Sequence, residues 1–377
     1  MKLRVVCISV MMFLLIGCQP SLNPKEVSEA PFLSNRTVTK QINPLFFDSE
    51  AILQLNVPFE QFSSIVEWLN DETVLYTVDT ATQSEVHTFN IRTGETSLFF
   101  VSDYPVLSVE ANAAHKLFVI QTAPSFSEGN ISVVDSDGEL VTNWSFPASQ
   151  DLVYSWNPYT DKQIAVSSFL EDWSYEGFLL DVVTKEKVEQ EFANPFIQWI
   201  EEKKVGYIKW NQDEPSLSAP LYTFDLVTGN AQQLIENVIM FSAFSDYIMT
   251  VTNNSVVESM ADYTFMKVND VEVKKQFTAP LLSMYSNYLT PFYEYVDTSS
   301  LFYTFFPEES GSIESYTKAF QLVTFDVRSG ELEVQMEGLE NKPLKFSPNG
   351  VYCLYGHQFE QLIVIPNKKV VDLIDYS

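Results

Sequence analysis

The chain predicts an all-β fold, a single β-propeller of four-stranded antiparallel blades, and three observations lead there. A hairpin signature recurs: His87 to Phe100 alternates apolar and polar residues around Gly94, and the pattern returns at Tyr222–Gly229 and Val323–Gly330. Period-two alternation places one face of each strand in a core. The turn centres fall near Gly94, Gly138, Lys185, Gly229, Asp270, Gly330 and Lys368, at intervals of 44, 47, 44, 41, 60 and 38 residues. A period of about 40–50 residues with four strands per unit is that of a propeller. Finally, no long helical period appears after the N-terminal apolar run, and 12 glycines are few for a β-helical solenoid.

The elements follow in chain order. Lys2 and Arg4 precede an apolar run from Val5 to Ile16, which is shorter than the ~20 residues a permanent span requires. The run ends in Leu15-Ile16-Gly17-Cys18, which has the form of a lipobox. Residues 1–17 therefore read as a cleaved lipoprotein signal peptide. Cys18 reads as the lipidation site, whose palmitate-type acyl chains each bury methylenes at about 0.8 kcal/mol apiece. Residues 18–44 read as the lipidated cysteine and a flexible tether, broken by Pro20, Pro24, Pro31 and Pro44. Such a tether averages roughly 25–30 Å end to end. The propeller is expected over 45–377.

Within it, each hairpin should be the outer half of a blade. An Asn or Asp side chain bonds backbone N–H groups in the turn, and glycine takes the positive φ that closes it. Upstream of the hairpins lie further strand pairs, such as Leu152–Trp156 with Gln163–Ser167. In the last unit the first turn is Phe346-Ser347-Pro348-Asn349-Gly350. Seven hairpins imply seven blades. The long interval before Gly330 holds an insert, Pro280 to Thr290, and a long loop, Pro307 to Lys318. The strand-like run Ala51 to Val57 lies outside the seven units and is expected to close the ring by adding to the last blade.

Lipobox, proline-bearing tether and tandem aromatic repeats together resemble the YqgU-like propeller lipoproteins of Firmicutes. That resemblance covers most of the mature chain and implies six blades rather than the seven counted. It implies no activity that transfers to particular residues.

Several classes of chemistry find no support. There is no Gly-x-Ser-x-Gly elbow, no glycine-rich phosphate loop, and no paired-histidine metal motif among His87, His115 and His357. No cofactor and no metal site is expected. Fifty acidic against 22 basic residues, a formal charge of −28, argues against nucleic acid as a partner. Cys353 remains alone after Cys7 leaves with the signal and Cys18 is lipidated, so it reads as a buried packing residue. The Asp135-Ser136-Asp137-Gly138 segment with Trp144 has the look of an Asp-box, but occurs once and reads as ordinary turn chemistry.

The candidate binding residues lie in the loops joining second and third strands. They are Glu171, Asp172, Trp173, Tyr175 and Glu176, then Trp210, Asp213 and Glu214, then Glu308 and Glu309. Across all seven such loops stand thirteen acidic residues and one base, Lys318. These loops should share one strongly negative face, which would attract a basic protein segment or divalent cations. Arg92, Lys162, Lys203, Arg328 and other bases fall on the opposite, mixed face. Two functions remain in competition. One is a membrane-anchored, extracytoplasmic, non-enzymatic binding or scaffold module. The other is an exported hydrolase or lyase acting on a glycan or peptide, with carboxylates meeting at the channel mouth.

Overall fold

The computed structural model describes residues 51–375, apart from 212, 215, 268, 269 and 286. The signal, Cys18 and the tether lie outside the described residues. Within them the chain forms seven four-stranded antiparallel sheets, spanning 62–102, 106–147, 151–189, 198–238, 240–280, 293–339 and 344–372. They are numbered 1 to 7 here. No α-helix occurs among the described residues.

The turns form for the expected reasons. The Asn90 side chain accepts hydrogen bonds from the N–H groups of Arg92 and Thr93, both at 2.9 Å. Asp225 and Asp326 repeat this with Val227 and Thr228, and with Arg328 and Ser329. Each turn then closes on a residue of positive φ, namely Gly94, Gly138, Lys185, Gly229, Gly330 and Lys368. At Gly138 the demand is steric as well. A Cβ there would lie 2.0 Å from the Phe99 carbonyl oxygen of sheet 1. The seventh turn, before Asp270, includes residues 268 and 269, which lie outside the described set.

Burial falls from the inside outwards. First strands of neighbouring sheets touch one another around the ring. Second strands such as Gln163–Phe169 are almost wholly buried, and fourth strands such as Ala231–Val238 are largely exposed. The apolar core is divided into seven clusters, one in each seam between adjacent sheets, including the seam between sheets 7 and 1. Seven seams for seven sheets make a closed ring, with the core distributed as wedges rather than gathered at a centre. Cys353 is buried in the wedge between sheets 6 and 7.

Two details differ from the sequence reading or refine it. The segment within Ala51–Val57 does not join sheet 7. Leu55–Asn56 pairs in parallel with Ile374–Asp375 in a separate two-stranded clasp, because sheet 7 takes all four of its strands from 344–372. The long insert forms a three-stranded sheet of Asn287–Leu289, Leu282–Met284 and Gly311–Ser312. Its segments are too short to make a further four-stranded unit.

Strand direction fixes the two faces. In an antiparallel four-stranded meander, the second-to-third connections lie at the same end as the links to the next sheet. The observed connections are 80–83, 126–127, 170–174, 209–218, 254–259, 308–319 and 356–360. We call this end the loop face, and the end bearing the first and third turns the turn face.

Candidate functional site

Two regions bring chemistry together, one expected and one missed. On the loop face, Glu171, Asp172, Glu176, Asp213, Glu214, Glu308 and Glu309 are all exposed. Lys318 is tied to Glu309 at 2.8 Å. Ser174 holds Asp172 below the usual carboxylate range by donating from its hydroxyl, at 2.5 Å, and from its backbone N–H.

Aromatic residues stand among these carboxylates. Trp173 is 71% exposed and Trp210 44% exposed, while Phe126, which sequence reasoning passed over, is 99% exposed. Trp173 has φ +64°, a left-handed conformation that is uncommon for a bulky residue, and it packs edge-on against Phe169. Tyr175 is not free for binding in the same way. Its ring lies against Phe169 and its hydroxyl donates to the Phe192 carbonyl at 2.8 Å, so it serves packing. Between sheets 2 and 3 the loop face also opens into an apolar pocket of about 470 Å³, lined in part by Leu107, Ala123, Phe126 and Leu152.

The region missed from sequence is the channel. The first strands of sheets 1, 2, 6 and 7 carry Glu67, Glu110, Glu294 and Lys345 to one cavity of about 330 Å³. Its remaining wall comes from first turns, including His115 and Asp297, so it opens toward the turn face. The Lys345 ammonium donates to the Glu67 carboxylate at 2.8 Å and to the Val66 carbonyl at 3.3 Å. Glu67 also accepts from the backbone N–H groups of Trp68 and Ala111. It therefore ties sheets 7, 1 and 2 together. Gln198 makes the corresponding link from sheet 4 to sheet 5, accepting from the Ala243 N–H at 2.8 Å.

Glu110 and Glu294 have no ion pair of this kind, although the Tyr154 hydroxyl hydrogen-bonds to Glu110. Burial raises the Glu110 pKa, Lys345 opposes that rise, and Glu67 adds to it. Burial likewise pushes Glu294 up to about 8, with Lys345 opposing and Glu67, Glu110 and Asp297 adding to the rise. Glu294 is half-buried, and its surface meets the cavity. Its carboxyl makes no hydrogen bond to any described residue. Tyr154 stands near Glu110, its hydroxyl 3.0 Å from that of Ser108, and burial pushes its pKa far up. The sequence signal was a single charge inside an inner strand: Val66-Glu67-Trp68, Val109-Glu110-Ala111, Tyr293-Glu294-Tyr295 and Leu344-Lys345-Phe346.

The three histidines stay apart. His87 pairs with Glu85 at 2.7 Å, His115 meets the Trp68 carbonyl at 3.2 Å, and His357 packs against Phe292. Among the described residues no group of three or more His, Cys, Asp or Glu is arranged to hold a metal ion.

Comparison with known proteins gives three findings. A family model, the YqgU-like 6-bladed β-propeller domain, matches residues 90–356. The chain is 28% identical over 378 residues to the uncharacterised lipoprotein YqgU of Bacillus subtilis, covering 99% of this chain and 98% of that one. Among solved structures, it resembles the uncharacterised protein lmo1340 of Listeria monocytogenes, with TM-score 0.77 and 20% identity over 86% of this chain and 98% of that one. It also resembles the β-propeller domain of the Trilobed protease of Pyrococcus furiosus. There the TM-score is 0.55 and the identity 12%, over 84% of this chain and 98% of that one. At these identities the two structures speak for the fold alone.

Proposed function

We propose a function from one premise: the chain belongs to the YqgU-like 6-bladed β-propeller domain family. It is a lipoprotein anchored through Cys18 on the extracytoplasmic side of the cell membrane, and its propeller is a non-enzymatic binding module. The lipoprotein relative from Bacillus subtilis supports the anchor. The partner is a protein segment that is basic and carries apolar side chains, and it is taken at the loop face.

One observation carries this reading: large apolar side chains exposed among uncompensated acids. Phe126 is 99% and Trp173 71% exposed, beside Glu128 and beside Glu171 and Asp172. Solvation of an exported protein explains surplus Asp and Glu, but it does not explain aromatic rings held out in water among them. Aromatic anchors ringed by charge are the composition of a protein interface, where the rings supply energy and the charges supply steering. The apolar pocket between sheets 2 and 3 gives a partner side chain somewhere to go.

The test is photocrosslinking in intact cells from a probe at position 173 or 126, compared with a probe on the turn face at Lys162. A partner captured from both loop-face positions, lost at high salt, and lost when Glu171, Asp172, Asp213 and Glu214 are together changed to Ser, is the expected result. Capture that is equal from the turn face, or insensitive to both salt and the quadruple change, overturns the reading.

A further inference from the structure

We propose that the central cavity is a binding site for a small organic cation, a primary ammonium or a guanidinium group, held by the carboxylates of Glu110 and Glu294. This site is separate from the loop face and stands or falls without it.

Four carboxyls, Glu67, Glu110, Glu294 and Asp297, line the cavity with a single ammonium, Lys345; Asp297, at the mouth, accepts from the Ser245 hydroxyl at 2.6 Å. That ammonium is already committed, at 2.8 Å to Glu67 and 3.3 Å to the Val66 carbonyl. Glu67 in turn accepts from two backbone N–H groups. The pair is complete, and within the cavity Glu110 and Glu294 remain without a cation. Glu294 is half-buried at the cavity wall, and its carboxyl meets no hydrogen-bond donor among the described residues. Burial raises the pKa of both residues, and at about 8 for Glu294 a bound proton meets the deficit there at neutral pH. A cationic ligand would meet it instead, and would release that proton.

The shape of the site selects the kind of cation. A volume of about 330 Å³ lies at the lower end of what small-molecule sites occupy. A divalent metal requires oxygens converging within about 2–2.6 Å of one point. No metal-suited grouping is present among the described residues, and the Lys345 ammonium would repel a doubly charged ion. An ammonium or guanidinium spreads its donors over several ångströms and can reach two carboxylates on the first strands of different sheets. The opening at the turn face lies among His115 and Asp297, a polar mouth.

The experiment is calorimetric titration of the full-length chain with putrescine, agmatine and arginine, with 1-butanol as the neutral control and magnesium as the metal control. One cationic probe should bind at one per chain, and neither control should. Glu294→Gln and Glu110→Gln should each weaken it at least tenfold. Both variants mimic the protonated carboxyl and should keep the wild-type fold, checked by thermal midpoint. The quadruple loop-face variant should bind as the wild type does, which separates this site from the loop-face reading.

Affinity should also rise from pH 6 to pH 8, with proton release seen as a dependence of the heat on buffer ionisation. The charged or titratable groups facing Glu294 are Lys345, Glu67, Glu110, Asp297, Tyr293 and Cys353. No binding by any cationic probe at millimolar concentration, equal affinity in both channel variants, or displacement by magnesium would each overturn the proposal.

Discussion

Asp172 on the loop face and Glu294 in the channel are carboxyls of one chain held in opposite states. Ser174 donates two hydrogen bonds to Asp172, and its pKa falls. Glu294 is enclosed by first strands, meets no donor among the described residues, and its pKa rises to about 8. The same contrast holds between Glu314, lowered by the Ser312 hydroxyl, and Glu110, raised by burial. Short local donors favour the charged forms of Asp172 and Glu314. At Glu110 and Glu294 the charged form is disfavoured, because desolvation outweighs the one ammonium available. A count of Asp and Glu thus measures the field of the outer face and says nothing of the inner ring.

The largest effect that separates the two regions should come from Lys345→Met. It leaves Glu67, with its side chain 6% exposed, without its cation, and breaking such a pair costs about 3–5 kcal/mol. Denaturant titration at pH 7 measures this. A cost below about 1 kcal/mol would mean that the channel is screened as well as the surface, and the contrast would collapse.

Next in size is Glu294→Gln. With a folded pKa of about 8 against an ordinary glutamate value near 4.3, this group favours folding fully at low pH and loses that contribution as pH rises toward 8. The variant removes the loss. Its stability should exceed the wild type's by on the order of 1–3 kcal/mol at pH 8 and hardly differ at pH 5. Thermal midpoints across this range decide it, and parallel curves for the two proteins would refute the assignment.

The loop face should respond weakly. Changing Glu171, Asp172, Asp213 and Glu214 together to Ser should shift stability by less than about 1 kcal/mol while partner capture is lost. Smallest of all is Trp173→Ala, which should stay within about 0.5 kcal/mol in stability, since the ring is largely in water. A cost well above that would turn Trp173 from an anchor for a partner into a part of the fold.

The fold was legible because hairpin chemistry is local. Asn90, Asp225 and Asp326, with the glycines four residues after each, announce their turns within a few positions. Even the loop connections, and hence the acidic face, followed from counting strands. The channel was not legible, because Glu67, Glu110, Glu294 and Lys345 meet only when the ring closes. The contact that joins Lys345 to Glu67 spans 278 residues. Tyr175 misled for a related reason: its loop neighbours are polar, but its partner Phe192 is supplied by the following link. The clasp was misplaced because alternation in Ala51–Val57 marks a strand without saying which edge receives it.

The clasp between Leu55–Asn56 and Ile374–Asp375 has a consequence for the order of the units along the chain. Each of the seven four-stranded sheets is made from its own stretch of polypeptide, and none borrows a strand from the far end. The propeller domain therefore enters and leaves at neighbouring points of one seam, and no unit holds a privileged first place. A circular permutant that joins those two points and opens the chain instead at 190–197, between sheets 3 and 4, keeps every sheet whole. The ring is a cycle written as a line, and the place where the line begins was free to be chosen by whatever had to be attached there.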